Sequence, residues 1–159
     1  MEVLFMIKRA ILILFSLSLI FIIGCSGVRY SKEQVDGLAT CLADKSVKEY
    51  GAFWCPNCAK QEKLFGSSMA ILKSREVYIE CDPRCDTDDL PIACRGIRGQ
   101  SSLCLEKNVA KYPTWEFSDG SVIIGVTQLQ QLADKSGCTL VWDIRLFQYL
   151  FYFLCYLEY

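Results

Sequence analysis

Trp54-Cys55-Pro56-Asn57-Cys58 decides how this chain is read. Two cysteines stand two residues apart, behind an apolar, aromatic run over residues 47–54 and ahead of a helix-like run over residues 59–72. That order predicts a strand, a tight turn and a helix. It puts Cys55 at a helix N-terminus, where unpaired backbone N–H groups and the helix dipole favour an anion. A thiolate is such an anion and is the form that attacks disulfides. Cys58 lies one turn further on, within reach of a disulfide to Cys55. Pro56 suits the first turn because its missing N–H is one the helix leaves unpaired anyway. The stretch predicts a dithiol that opens and closes.

Cys-x-x-Cys is not specific by itself, because zinc sites share the spacing. A second element narrows the reading. Tyr112-Pro113-Thr114-Trp115 precedes an apolar stretch, and Pro113 is one of only four prolines. Cis peptide bonds are essentially confined to X–Pro. A dithiol at a helix start, followed by a Pro just ahead of a later strand, resembles the thioredoxin-like fold, in which a cis-proline packs beside the active dithiol. The fold class expected is α/β, with a central mixed sheet flanked by helices.

The 159 residues allow one ordinary domain with extensions. The formal net charge of −1, with no long basic run, gives no electrostatic footprint for nucleic acid. There is no histidine, which excludes His-based metal sites and Cys–His or Ser–His catalysis. Proton transfer falls to a carboxylate, a thiol, a lysine or water. Ten cysteines are unusual for a reducing cytosol. The N-terminus offers a reason: Lys8 and Arg9 precede an almost unbroken apolar run over residues 10–23, which reads as a secretory signal or a signal anchor. The run ends Ile22-Ile23-Gly24-Cys25, which resembles a bacterial lipobox, with Cys25 as the lipidated residue. Lipoprotein, ordinary signal peptide and uncleaved anchor all export the domain to an oxidising space, so the expected location is extracytoplasmic and membrane-anchored.

The expected organisation is a signal or anchor over residues 1–25, a linker over 26–31, a thioredoxin-like domain over 32–138, and an apolar tail over 139–159 with no assigned role. In the domain, Val35, Leu38, Ala39 and Leu42 carry the spacing of an amphipathic helix over residues 33–43. Residues 47–54 form the first core strand and 61–72 the active-site helix, with Leu64, Phe65 and Ile71 inward. Residues 76–81 alternate polar and apolar as a second strand. Residues 82–100 read as an irregular loop rich in Asp, Arg, Gly, Pro and Cys, and 103–110 as a short helix. Asp119-Gly120 predicts a hairpin between strands at 114–117 and 122–126. A helix over 126–135, with Leu129 and Leu132 inward, stops at Gly137. In the tail, residues 146–157 are aromatic and apolar but too short for an ordinary membrane span. They lie on a membrane surface, pack on the domain, or carry no selected function.

Three stretches carry a closer resemblance. Tyr50-Gly51-Ala52-Phe53-Trp54-Cys55-Pro56-Asn57-Cys58, Tyr78-Ile79-Glu80-Cys81-Asp82-Pro83, and Leu103-Cys104 with Tyr112-Pro113-Thr114-Trp115-Glu116 are similar to the thioredoxin-like domain attached to vitamin K epoxide reductase homologues of cyanobacteria and plants. The resemblance covers residues 45–137. It implies disulfide exchange with substrate proteins, no bound cofactor or metal, and reoxidation by a quinone-linked membrane domain. These residues contain no such bundle, so the expected electron partner is a separate membrane oxidoreductase. The family has His where this chain has Asn57, which implies a less acidic Cys55 and a less oxidising disulfide. The segment between Cys81 and Cys104 is longer than usual and holds Cys85 and Cys94. By the resemblance, Cys81 and Cys104 form a structural or auxiliary pair, worth roughly 3 kcal/mol in the chain-entropy model. Cys85 and Cys94 then pair most simply within the inserted loop, although four cysteines admit other connectivities.

The catalytic residues expected are Cys55, Cys58, Pro113 and Glu49. Glu49 stands on the strand entering the site, where thioredoxin-like proteins often bury an acid that accepts the proton of the second cysteine. Its alternative is an exposed strand glutamate beside Lys48. Trp54, Tyr112 and Thr114 are expected to contact substrate, with core packing as the alternative for Trp54. Cys41 reads as a buried free thiol on the first helix, and Cys138 and Cys155 are able to pair with each other. Two rival functions remain: a zinc module on Cys55, Cys58, Cys81 and Cys85, and a non-catalytic, disulfide-stabilised adaptor docking on a membrane partner.

Overall fold

The computed structural model describes residues 30–140, together with Lys8. The signal or anchor, Cys25, the tail beyond Leu140 and Cys155 lie outside the described residues. Chain order is α1 (Lys32–Asp44), β1 (Lys48–Gly51), α2 (Pro56–Phe65), α3 (Met69–Ser74), β2 (Tyr78–Glu80), α4 (Ser101–Glu106), β3 (Thr114–Glu116), β4 (Val122–Ile124) and α5 (Leu129–Ser136). The strands form one mixed sheet in the order β2-β1-β3-β4. β1 runs parallel to β2 and antiparallel to β3, which is antiparallel to β4. A parallel pair needs a crossover, supplied here by α2 and α3. With its flanking helices, this is a thioredoxin-like α/β fold.

The helix starts and stops follow local chemistry. Ser31 caps α1 in a reciprocal capping box with Gln34, which satisfies donors the helix cannot pair internally. The buried positions of α1 are Val35, Leu38, Ala39 and Leu42, the stripe its spacing predicts. α5 buries Leu129 and Leu132 and ends at Gly137, whose φ of 70° is the left-handed conformation glycine adopts without a Cβ clash. The β3–β4 hairpin turns through Asp119-Gly120, with Gly120 at φ 78°.

Four expected elements differ. β1 ends at Gly51, so the residues up to Trp54 belong to the turn that leads into the dithiol. The helix after the dithiol is not continuous: Gly66–Ser68 is a tight 3-10 turn between α2 and α3, entered at Gly66 with φ 54°. The helix expected over 103–110 is α4, placed earlier. The strand expected over 76–81 is the shorter β2, whose three residues are all buried.

The main core lies between the sheet and helices α1, α3 and α5, and includes Leu38, Leu42, Val47, Leu72, Trp115 and Leu132. Each such side chain contributes about 1.5–3 kcal/mol on burial. A smaller cluster on the opposite face gathers Tyr50, Ile79, Cys81 and Cys104. Cys41 is not a free thiol. It is bonded to Cys138, joining α1 to the end of α5 across a sequence separation of 97. The two helices pack together, which brings the Cα atoms to 5.9 Å. In the chain-entropy model a loop of that size contributes about 4.7 kcal/mol, against about 3 for shorter ones.

Candidate active site

The site is built where β1 stops. The turn after Gly51 is closed by the Cys55 N–H donating to the Ala52 carbonyl at 2.9 Å. Cys55 is the N-cap of α2, Pro56 fills the first turn, and the Cys58 N–H donates to Cys55 Sγ at 3.4 Å. Gln61 fixes α2 from behind: its buried amide donates to the Thr127 carbonyl at 3.0 Å and accepts the Thr127 N–H at 2.7 Å. Cys55 and Cys58 are the free cysteines among the described residues. Cys55 is 6% exposed and Cys58 2%. Burial, the neighbouring Cys55 and then Glu49 push the Cys58 thiol well above its ordinary pKa.

Tyr112-Pro113 lies opposite the dithiol, and its peptide bond is cis. The Cys55 thiol donates to the Tyr112 carbonyl at 3.6 Å. The segment is held by the Thr114 hydroxyl donating to the Lys111 carbonyl at 2.7 Å and by the Gly125 N–H donating to the Pro113 carbonyl at 2.8 Å. Tyr112 packs against the small cluster formed by Ala52 and the dithiol. Trp54 is 55% exposed, so it is not a core residue. It stands edge-on to Tyr112, with ring centroids 6.2 Å apart.

Glu49 is fully buried, which removes the exposed-strand alternative. Neither carboxyl oxygen has a hydrogen-bond partner among the described residues. Burial raises its pKa to about 8, the Glu62 charge adds to the rise, and Lys73 opposes it. The Glu49 charge also acts on the Cys58 thiol and raises its pKa.

Sequence reasoning passed over several neighbours of the site. The Trp54 indole N–H donates to Asp82 Oδ2 at 2.6 Å. Arg84 bonds both oxygens of Asp82, at 2.9 and 2.8 Å, and holds that carboxyl well below the usual carboxylate range. Arg84 also lies over the Phe53 ring at 4.8 Å from its centroid. Asp82 and Pro83 stood out as part of a motif, but nothing in the sequence tied Asp82 to an indole in another turn. Gly51 has a steric role: a Cβ there would lie 2.7 Å from the Tyr78 ring and 3.2 Å from Cys58 Sγ.

Cys81 is bonded to Cys104 and Cys85 to Cys94. The four-cysteine set Cys55, Cys58, Cys81 and Cys85 therefore does not assemble. No group of three or more His, Cys, Asp or Glu among the described residues is placed to hold a metal ion.

No protein-family model matches the chain. Over 104 residues the chain is 32% identical to the thiol-disulfide oxidoreductase LTO1 of Arabidopsis thaliana. The alignment takes in 65% of this chain and 24% of that protein, so the chain spans about a quarter of its relative's length. The similarity is to a thiol–disulfide oxidoreductase, and it agrees with a free dithiol set at a helix start.

Proposed function

We propose that this chain is an extracytoplasmic thiol–disulfide oxidoreductase, held at a membrane by its N-terminus, that exchanges disulfides with substrate proteins through Cys55 and Cys58. One observation carries the reading. The two cysteines at the helix start are free, while the other six cysteines of the described residues are paired. In the reducing direction the Cys55 thiolate attacks a substrate disulfide, one substrate sulfur leaves as thiolate, and a mixed disulfide forms. Cys58 loses its proton and attacks Cys55 Sγ, which closes the Cys55–Cys58 disulfide and frees the second substrate thiol. Oxidation of a substrate dithiol runs the same steps backwards. Glu49 takes the Cys58 proton. Its pKa of about 8 lets it hold or release a proton near neutrality. Pro113 and Thr114 align the substrate strand, and exposed Trp54 with Tyr112 offers it an apolar wall. The resemblance to the thioredoxin-like domain of vitamin K epoxide reductase homologues supports a separate quinone-linked membrane oxidoreductase as electron partner. The apolar N-terminus supports export, with Cys25 as lipidation site or the run as an uncleaved anchor.

The test is a trap. Cys58→Ser removes the resolving thiol, so mixed disulfides with substrate proteins accumulate and disappear on reduction of the gel sample. Cys55→Ser abolishes them. Equal trapping by both variants, or none by Cys58→Ser, contradicts this reading and favours the adaptor.

A further inference from the structure

The mechanism above leaves a second buried acid unused. Glu80 on β2 is fully buried and makes no ion pair among the described residues. Its carboxyl accepts the Tyr78 hydroxyl at 2.9 Å and the Asp82 N–H at 2.9 Å. The parallel register pairs Glu49 with Tyr78 and Gly51 with Glu80. Side chains of paired residues share a sheet face and alternate along a strand. Glu49, Gly51, Tyr78 and Glu80 therefore occupy one face, and Cys58 is packed above it. Gly51 leaves a gap bordered by the Tyr78 hydroxyl and the Cys58 thiol. The point where its Cβ would stand is 3.1 Å from the Tyr78 hydroxyl and 3.2 Å from Cys58 Sγ. The charges of Glu80, Cys58 and Glu49 all act on Tyr78, and Glu80 is its hydrogen-bond partner.

We propose that Tyr78 and Glu80 form a second proton acceptor for Cys58, working beside Glu49. The Tyr78 hydroxyl takes the Cys58 proton as it passes its own to Glu80 Oε2. The net change is a Cys58 thiolate and a neutral Glu80, with no electrons moved. The hydroxyl already donates to Glu80, so the second half of the transfer needs no rearrangement. Burial raises the pKa of Glu80, against the bonds from Asp82 and Tyr78 that lower it, which suits a carboxyl that must accept a proton. The other charged or titratable groups acting on this cluster are Cys55, Asp82, Glu62 on α2 and Lys73 on α3, the last standing 5.4 Å from the Tyr78 ring centroid. Arg84 and Tyr112 both feel the Glu80 charge from the site's rim. Two acids also explain how a thiol pushed so high is deprotonated in the absence of histidine.

The inference rests on Cys58 being the resolving thiol, and its test separates the two. Full-length chain carrying Cys25→Ser and Cys155→Ser is reduced at the dithiol and mixed rapidly with excess 5,5′-dithiobis(2-nitrobenzoate). A first, reagent-dependent release of thionitrobenzoate reports attack by Cys55. A second, unimolecular release reports resolution by Cys58. Glu49→Gln is expected to slow the second phase while leaving a rise with pH. Adding Tyr78→Phe is expected to slow it a further tenfold or more and remove that rise, and Glu80→Gln in place of Tyr78→Phe is expected to do the same. Tyr78→Phe keeps the ring against Gly51, and a purely structural role would lower the melting temperature without moving the pH profile. The proposal is overturned if Tyr78→Phe leaves the second phase of Glu49→Gln unchanged, or if Tyr78→Phe slows it and Glu80→Gln does not. Loss of the second phase's dependence on Cys58, by contrast, overturns the functional reading itself.

Discussion

Glu49→Gln should flatten the dependence of folding stability on pH. Glu49 is fully buried without a hydrogen-bond partner among the described residues, and its pKa rises from 4.5 to about 8. Between those values the folded chain holds a proton that the unfolded chain has released. Stability then falls as pH rises, because the slope follows the protons bound by the unfolded state minus those bound by the folded state. The contribution is intact below the unfolded pKa and is lost progressively as pH climbs through the folded one. For that shift the loss is roughly 2–3 kcal/mol between pH 5 and pH 7, and roughly 4 kcal/mol by pH 8.5. Glutamine has the same shape and no proton to lose, so its variant lacks this slope. Urea unfolding of both proteins across this range, with the dithiol kept reduced, measures the difference directly. Parallel stability curves for the two proteins would show that Glu49 is ionised in the fold or solvated, and the proton-acceptor role would fall with it.

Three further outcomes follow from the same geometry. In the reduced domain near neutral pH, iodoacetamide should label Cys55 faster than Cys58, because Cys58 is the less exposed and its thiol is pushed up by burial; mass spectrometry of the labelled peptides would reverse the assignment if Cys58 reacted first. Asn57→His should make the Cys55–Cys58 disulfide more oxidising, since an imidazole in the first turn of α2 stabilises the Cys55 thiolate, and each ~1.4 kcal/mol raises the potential by about 30 mV; an unchanged equilibrium with glutathione would remove position 57 from the control of redox poise. Replacing Cys41 and Cys138 with Ser should cost about 4–5 kcal/mol of stability, more than replacing Cys85 and Cys94, because the first pair closes the longer loop; denaturant midpoints in the reverse order would contradict that account.

Much of the fold was legible because its signals are local. The stripe of α1, the Asp119-Gly120 turn, the stop at Gly137 and the dithiol at a helix start each depend on residues within a turn or two of one another. What escaped depends on residues far apart. The Cys41–Cys138 bond joins positions 97 apart, and no spacing rule encodes that two helix ends will meet. The alternation at Tyr78, Ile79 and Glu80 predicted a strand, and such a pattern ordinarily leaves one face in water. Its polar side is instead covered at the dithiol, so a polar residue there signals buried chemistry and not solvent. Glu49 posed the same ambiguity, and only burial decides it. The Trp54–Asp82–Arg84 contacts pass between two separate turns, so no sequence pattern announced them.

The two faces of the sheet also explain why a reactive centre and a heavily cross-linked frame occur in one small domain. On the face beneath Cys58 the chain buries two carboxyl groups and a phenol, and one of those carboxyls has no partner among the described residues. A buried polar group left unpaired costs about 1–3 kcal/mol, and the cost grows as pH rises and Glu49 must ionise. On the opposite face Tyr50 and Ile79 pack with the Cys81–Cys104 bond. Tyr112 packs against that cluster and against the dithiol as well. The disulfide thus braces the residue whose carbonyl meets Cys55, without sharing a face with the acids. Cross-links of about 3–5 kcal/mol each are of the size needed to offset an unsatisfied acid in a domain with so small a core. The proton transfer proposed for Glu49 therefore depends on a frame whose own cysteines stay oxidised, while Cys55 and Cys58 are left unpaired.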